Sequence, residues 1–208
     1  DSLERWLPGT RNGGGVTIRQ LLTHTSGLAS DDPALPRVCD PGACRSYANS
    51  GYRVLGQIIE KASGKDYTAV LRERILSPLG LTATFYPHQE PVIGESAVGH
   101  AGDEDKAAVE AVDDYAPGQH GASGAIVATA ADTARFAHAL FTGSVLDADG
   151  LDEMLDFEAT RGLPGADDCA AAGMVYRSQE ADLGVSWGHA GNVGFFRSDV
   201  RYFPASNV

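Results

Sequence analysis

Lysine is almost missing from this chain. Only Lys61, Lys65 and Lys106 occur among 208 residues, each in a polar stretch that reads as surface. No serine from Ser2 to Ser206 is followed three residues later by a lysine, and the nearest approach, Ser63-Gly64-Lys65, has its lysine one residue early. These residues therefore offer no evident buried amine to activate a neighbouring hydroxyl. Also missing is any run near the roughly 18 to 20 apolar residues of a membrane-spanning helix. The opening Asp1-Ser2-Leu3-Glu4-Arg5-Trp6 lacks the basic and apolar regions of a signal peptide. Positive charge is in deficit: 16 basic against 28 acidic residues give a formal net charge of −12. Such a surface repels phosphate backbones and anionic headgroups, so neither nucleic acid nor membrane insertion is expected. Internal repeats and low-complexity segments are lacking as well.

What is present suits one large or two small globular domains, with 43% hydrophobic residues available for a core. Of three cysteines, Cys39 and Cys44 bracket Asp40-Pro41-Gly42-Ala43, whose Pro-Gly pair signals a turn. A disulfide there is plausible, two reduced cysteines on a surface loop being the alternative. The bond would stabilise the fold by about 2 kcal/mol, stiffen the approach to Tyr47 and imply an oxidising compartment. No histidine or further cysteine lies nearby at ligand spacing, so a metal is not expected. Cys169 is left over, a candidate for pairing outside these residues.

Thr17-Ile18-Arg19-Gln20 has capping-box form and predicts a two-turn helix stopped by Gly27. A longer helix is expected from about Ser50 to Ala62, with Leu55, Ile58, Ile59 and Ala62 on its apolar face and Gly64 at its end. Asp66 then caps another, lined by Tyr67, Val70, Leu71 and Ile75 and ended before Pro78. Residues 87–121 lose periodicity and read as long surface loops around an acidic tract, with room for a strand or two. Thr129-Ala130-Ala131-Asp132 restarts a helix through Ala134, Ala137, Leu140 and Phe141 to Gly143, and residues 147–157 predict one more. Gly173-Met174-Val175-Tyr176, Val185-Ser186-Trp187 and Val193 to Phe203 read as antiparallel strands, the last with a turn at Arg197-Ser198-Asp199. Strands grouped after helices indicate an α+β fold, and so few strands read as an incomplete sheet.

Four landmarks stand in order: Val16-Thr17-Ile18-Arg19-Gln20-Leu21-Leu22-Thr23-His24-Thr25-Ser26-Gly27-Leu28, Tyr47-Ala48-Asn49, Ala122-Ser123-Gly124-Ala125 and His189-Ala190-Gly191. Together they resemble the class C β-lactamase and D-Ala-D-Ala carboxypeptidase superfamily of serine hydrolases. The His-x-Gly triplet resembles the secreted carboxypeptidase branch more than the lactamases, which usually carry Lys-Thr-Gly. The resemblance implies a mostly helical domain with long loops over residues 1–165. It implies, over residues 166–208, the central antiparallel strands of the β-lactamase/transpeptidase-like fold. Family members take their nucleophile from a Ser-x-x-Lys helix ahead of Thr-His-Thr-Ser-Gly and continue beyond the strand pair after His-x-Gly. By that comparison the fold is incomplete at both ends. The chain alone is then expected to be inactive, with the missing N- and C-terminal segments of the same protein as partners. The implied activity is acyl transfer, without a cofactor, on a small peptide, a β-lactam-like substrate or a related amide or ester. The implied location is secreted or cell-envelope.

Role by role, acyl transfer needs a proton taken from the serine and returned to the leaving nitrogen, and the phenol of Tyr47 fits that task by resemblance. Asn49 would orient substrate, donating to its carbonyl while accepting from a neighbour; an N-cap is its ordinary alternative. His189, read at a strand end, would present an imidazole whose charge is marginal at neutral pH. Ala190 and Gly191 would let backbone approach the substrate, and the N–H of Asn192 would form half of an oxyanion hole. Tyr115 and Gln119 are expected in a cleft wall with His120. His24 and Ser26 are expected to hydrogen-bond free carbonyls of their turn, and Ser123 to line the cleft. Two rival readings are a non-catalytic relic that binds penicillin or peptide, and an unrelated hydrolase using Ser26 or Ser123 with His189 and Asp132.

Overall fold

The computed structural model describes residues 1–101, 110–112, 121–124, 126–166, 170–193 and 196–208. The first two helices are short, α1 over Leu3–Trp6 and α2 over Ile18–Leu22. The predicted capping box starts α2: the Thr17 hydroxyl accepts from Gln20 N–H at 3.2 Å, and the Gln20 carboxamide accepts from Thr17 N–H at 2.9 Å. Its stop differs from expectation. The helix ends at Leu22, and His24, at φ 57°, turns the chain. Gly27 has another task, taken up below.

Helix α3, Asn49–Ser63, ends where predicted, with Gly64 left-handed at φ 67°. Its buried face runs through Ser50, Gly51, Val54 and Ile58; of the residues expected there, Ile58 is buried and Leu55 packs against the same cluster, whereas Ile59, 37% exposed, and Ala62 face outward. The Ser50 hydroxyl donates to Ala29 O at 2.6 Å and sets the helix rotation from its first turn. Val54 and Ile58, four residues apart, join Leu3, Val16, Leu21 and Leu28 in one apolar cluster. Each fully buried leucine there stabilises the fold by about 2 kcal/mol.

Helix α4, Tyr67–Leu71, passes into a π-helical turn over Arg72–Leu76. Asp66 makes no side-chain cap. The free N–H groups of Tyr67 and Thr68 instead donate to Glu60 at 2.9 Å and Gln89 at 2.8 Å, partners that α3 and a later loop already hold in place.

Four short strands follow: β1 over Thr84–Phe85, β2 over Gly99–Ala101, β3 over Glu110–Val112 and β4 over Val127–Ala128. β1 pairs with β4 and β2 with β3, so the stretch read as loops holds the two strands it had room for. Helix α5, Ala130–Phe141, is capped by Thr129, which accepts from Asp132 N–H at 3.2 Å. The Asp132 carboxylate completes no capping box; it accepts from Ala83 N–H at 2.9 Å and Thr84 Oγ1–H at 3.0 Å, tying α5 to β1. Helix α6 is shorter than predicted, Ala148–Met154, with Asp147 as its cap.

Strands β5, Tyr176–Glu180, β6, Gly184–Val193, and β7, Phe196–Tyr202, form an antiparallel sheet in that order. Residues 172–174, read as the start of the first strand, form a 3-10 turn. The turn expected at Arg197-Ser198-Asp199 is strand: these residues pair with Asn192, Gly191 and Ala190, and the reversal lies between Val193 and Phe196. Their polarity suits an exposed hairpin arm as well as a turn. Phe141 of α5 stacks on Tyr202 at 5.2 Å and meets Trp187 at 5.7 Å, joining helix and sheet in a second apolar cluster with Leu140, Phe157 and Val175.

Candidate active site

The segment after α2 is a bed on which the chain returns. Val38 N–H donates to Gly27 O at 2.9 Å, Gly42 N–H to Thr25 O at 2.7 Å and Ser46 N–H to His24 O at 2.8 Å. The Cys39 carbonyl presses on Gly27 in the space a Cβ would take, which only glycine at φ +71° permits. Cys39 and Cys44 are disulfide-bonded, closing a loop that lies between the first and third of these contacts and contains the second. Ala48 N–H then donates to His24 Nδ1 at 2.9 Å, and α3 begins.

His24 is 1% exposed, stacked against Tyr47 at 4.6 Å and Tyr52 at 5.0 Å. Burial, then the charges of Arg45 and His189, lower its pKa to about 4. It is therefore neutral at ordinary pH, with its proton on Nε2, which has no partner among the described residues. The expected contact with turn carbonyls is replaced by acceptance of an amide from the returning segment. Tyr47 is 42% exposed, and burial, followed by the nearby Tyr176, pushes its phenol up. Asn49 is half-buried in the first turn of α3; the cap position belongs to Ala48, so Asn49 is not the N-cap.

Ser26 is 1% exposed, and its hydroxyl accepts from Leu28 N–H at 3.3 Å. With Ser26 enclosed and Asp132 tied to β1, the arrangement Ser26, His189 and Asp132 is not assembled. Ser123 closes a 3-10 turn, Gly121–Ser123, that packs on α3; a Cβ at Gly56 would stand 2.7 Å from that of Ala122. A Cβ at the next residue, Gly124, would lie 3.8 Å from Val193 Cγ2, so this landmark abuts the end of β6.

His189, Ala190 and Gly191 lie inside β6 and not at its end, paired with Val200, Asp199 and Ser198. Pairing with β5 stops at Tyr176 opposite Gly188. From His189 onward β6 is bonded to β7 alone among the described residues, which leave its other edge open. The His189 ring stands 5.9 Å from that of Tyr176. Burial, then Arg201, hold its pKa below the usual imidazole range against the opposing pull of Asp199. The charge expected to be marginal at neutral pH is therefore mostly absent. Asn192 pairs with Arg197, and together with Ala190, Gly191, Ser198 and Asp199 they line an open depression of ≈ 590 Å³. Tyr115 and Gln119, like His120 and Cys169, fall outside the described residues.

Tyr47 and His189, 142 residues apart in sequence, thus stand in two neighbouring ring groups, Tyr47 with His24 and Tyr52 and His189 with Tyr176, near enough for Tyr176 to act electrostatically on Tyr47 and His189 on His24. Sequence reasoning overlooked Tyr52, Tyr176 and Gly188. A tyrosine at the fourth residue of α3 carried a faint signal, since its ring returns toward the start of the helix; the strand positions carried none. Gly188 is required because Val200 O occupies the place of its Cβ.

The beta-lactamase family model matches residues 1–208. The chain belongs to the beta-lactamase family. This beta-lactamase-family chain is 31% identical over 203 residues to penicillin-binding protein 4 of Amycolatopsis lactamdurans, covering 84% of the chain and 49% of that protein. The crystal structure of a D-stereospecific amidohydrolase from Streptomyces sp. superposes with TM-score 0.84 at 26% identity, over 100% of this chain and 71% of that one. The D-amino acid amidase of Ochrobactrum anthropi gives 0.75 at 27% identity, over 92% and 62%. The mixed helical and antiparallel architecture is that of the β-lactamase/transpeptidase-like fold, as expected from the landmarks. The chain spans half or less of the length of the curated relatives it matches.

Proposed function

We propose that this chain supplies the tyrosine and strand walls of a serine acyl-transfer site acting on D-alanyl peptides or related D-configured amides, through an acyl-enzyme. Its nucleophilic serine and lysine come from sequence outside these 208 residues, so the chain alone is inactive. The observation that carries the reading is the phenol of Tyr47, part exposed, without a hydrogen bond among the described residues, and within electrostatic reach of Tyr176, on which the His189 ring is stacked at an angle.

Tyr47 relays the proton: it passes from the serine oxygen as that oxygen attacks the amide carbon, and is delivered to the leaving nitrogen as the C–N bond breaks. Its raised pKa keeps the phenol protonated at rest, so the relay depends on the lysine supplied with the serine. Asn49 orients the substrate carbonyl, while Ala190 and Gly191 meet its backbone along the open edge of β6. In a hairpin closed across Val193 and Phe196, strand alternation turns Asn192 N–H toward that edge, where it serves as half of the oxyanion hole. His189, mostly neutral, binds substrate by hydrogen bonding more than by charge. Tyr115 and Gln119 complete the cleft wall. The His-x-Gly triplet favours a carboxypeptidase-like, secreted or cell-envelope enzyme over a class C lactamase. The names of three relatives, a penicillin-binding protein, a D-stereospecific amidohydrolase and a D-amino acid amidase, fit this substrate class.

Intact-mass measurement after incubation with a labelled penicillin tests the reading. The 208-residue chain should carry no adduct, and the longer natural protein should carry one, on the serine of a Ser-x-x-Lys. An adduct on the short chain, or a natural protein without Ser-x-x-Lys, would overturn it, the latter in favour of a binding relic.

A further inference from the structure

We propose that His24 is a positioning residue for Tyr47, an inference that rests on the role given to Tyr47 above. One residue grips the amides of both residues that flank the tyrosine: its carbonyl accepts from Ser46 N–H at 2.8 Å, and its Nδ1 accepts from Ala48 N–H at 2.9 Å. Its ring also lies against the phenol, 4.6 Å between centroids at 22° between planes. Tyr47 is thus held before, behind and beneath. The left-handed backbone at φ 57° turns the carbonyl and the imidazole of His24 toward the same passing segment. The imidazole is itself immobilised, stacked against Tyr52, whose hydroxyl donates to Leu22 O at 2.9 Å. Its depressed pKa keeps Nδ1 an acceptor throughout the neutral range.

The functional consequence follows from how steeply proton relay depends on placement. Displacement of a reacting group by about 1 Å costs on the order of 100-fold in rate. Tyr47 is on the surface side of a loop junction, where nothing else among the described residues bonds both of its neighbouring amides. Without the Nδ1 acceptor, Ala48 N–H at the start of α3 loses its partner and the junction loosens.

Two substitutions in the full-length protein separate the acceptor from general damage. His24→Asn and His24→Gly both tolerate a left-handed backbone, and both lose the ring stack. Only asparagine keeps an oxygen near the place of Nδ1. Penicillin acylation kinetics and amide hydrogen exchange at Ala48 are measured for each. His24→Gly should lose protection at Ala48 and acylate roughly 10- to 100-fold more slowly, with half-saturating penicillin changed by less than about twofold. His24→Asn should recover the protection and most of the rate. Equal behaviour of the two variants, or wild-type rate and protection in His24→Gly, would overturn the proposal. Tyr47→Phe is run in parallel. If it acylates normally, the role of Tyr47 falls, and the exchange pattern alone then decides whether His24 holds the segment.

Discussion

The carbonyl oxygen of Cys39 rests against the α-carbon of Gly27, in the space a side chain would fill. This contact joins the disulfide loop to the Thr-His-Thr-Ser-Gly segment, and through it to the peptide that carries Tyr47. Gly27→Ala must leave φ +71° or push the loop away. We expect a loss of about 2 to 4 kcal/mol from strain and overpacking together. Urea unfolding monitored by fluorescence would show it as a lower midpoint.

Reduction of Cys39–Cys44 should be milder. The bond closes a loop between residues five apart, for which the chain-entropy model gives about 2 kcal/mol. The backbone bonds to Gly27 and Thr25 stay available in the reduced chain. Thermal melting with and without a phosphine reductant should show a lower transition that remains cooperative.

Tyr47→Phe in the full-length protein should slow penicillin acylation by about 100-fold or more, the usual range for losing a positioned acid–base group. Stability should barely change, because the hydroxyl makes no hydrogen bond among the described residues. Burst kinetics and melting, measured on the same preparation, check both halves.

Stability should fall as pH is lowered from 6.5 to 4. His24 binds a proton with a pKa of about 4 when folded and about 6.5 when unfolded. Across that window the unfolded chain therefore holds the extra proton, and acid favours unfolding. The loss from this group grows to about 3 kcal/mol and levels off below pH 4. Urea midpoints for the parent and His24→Asn should converge as the pH drops, since the variant lacks the titrating ring.

Much of this architecture was legible because local chemistry and tertiary context agree. The Thr17–Gln20 capping box and the Gly64 helix end needed only neighbours in sequence. On α3 the periodicity finds Leu55 and Ile58 but adds Ile59 and Ala62, because Ser50 bonds Ala29 across a loop that periodicity does not see and turns those two outward. Asp66 failed as a cap because Glu60 and Gln89 bring better-placed acceptors. Polar strand residues at Arg197-Ser198-Asp199 imitate a turn when the pairing of β6 with β7 is not yet known. At the candidate site, the landmarks named Tyr47 and His189 but not what stands between them. His24 looked like a helix-end residue, and its contacts with Ala48 and Tyr52 exist only after the chain has returned from residue 38.

The open edge of β6 beyond Gly188 has a cost for the molecule as a colloid. A strand that leaves amide groups unpaired invites any extended chain to add to it, another copy included. Gly191, within that edge, counters this, since glycine is a poor strand former and gives a stacking partner little to pack against. An edge built that way holds an extended guest weakly unless further contacts anchor it. The glycine that leaves room for Ser198 of β7 thereby also discourages self-association at high concentration.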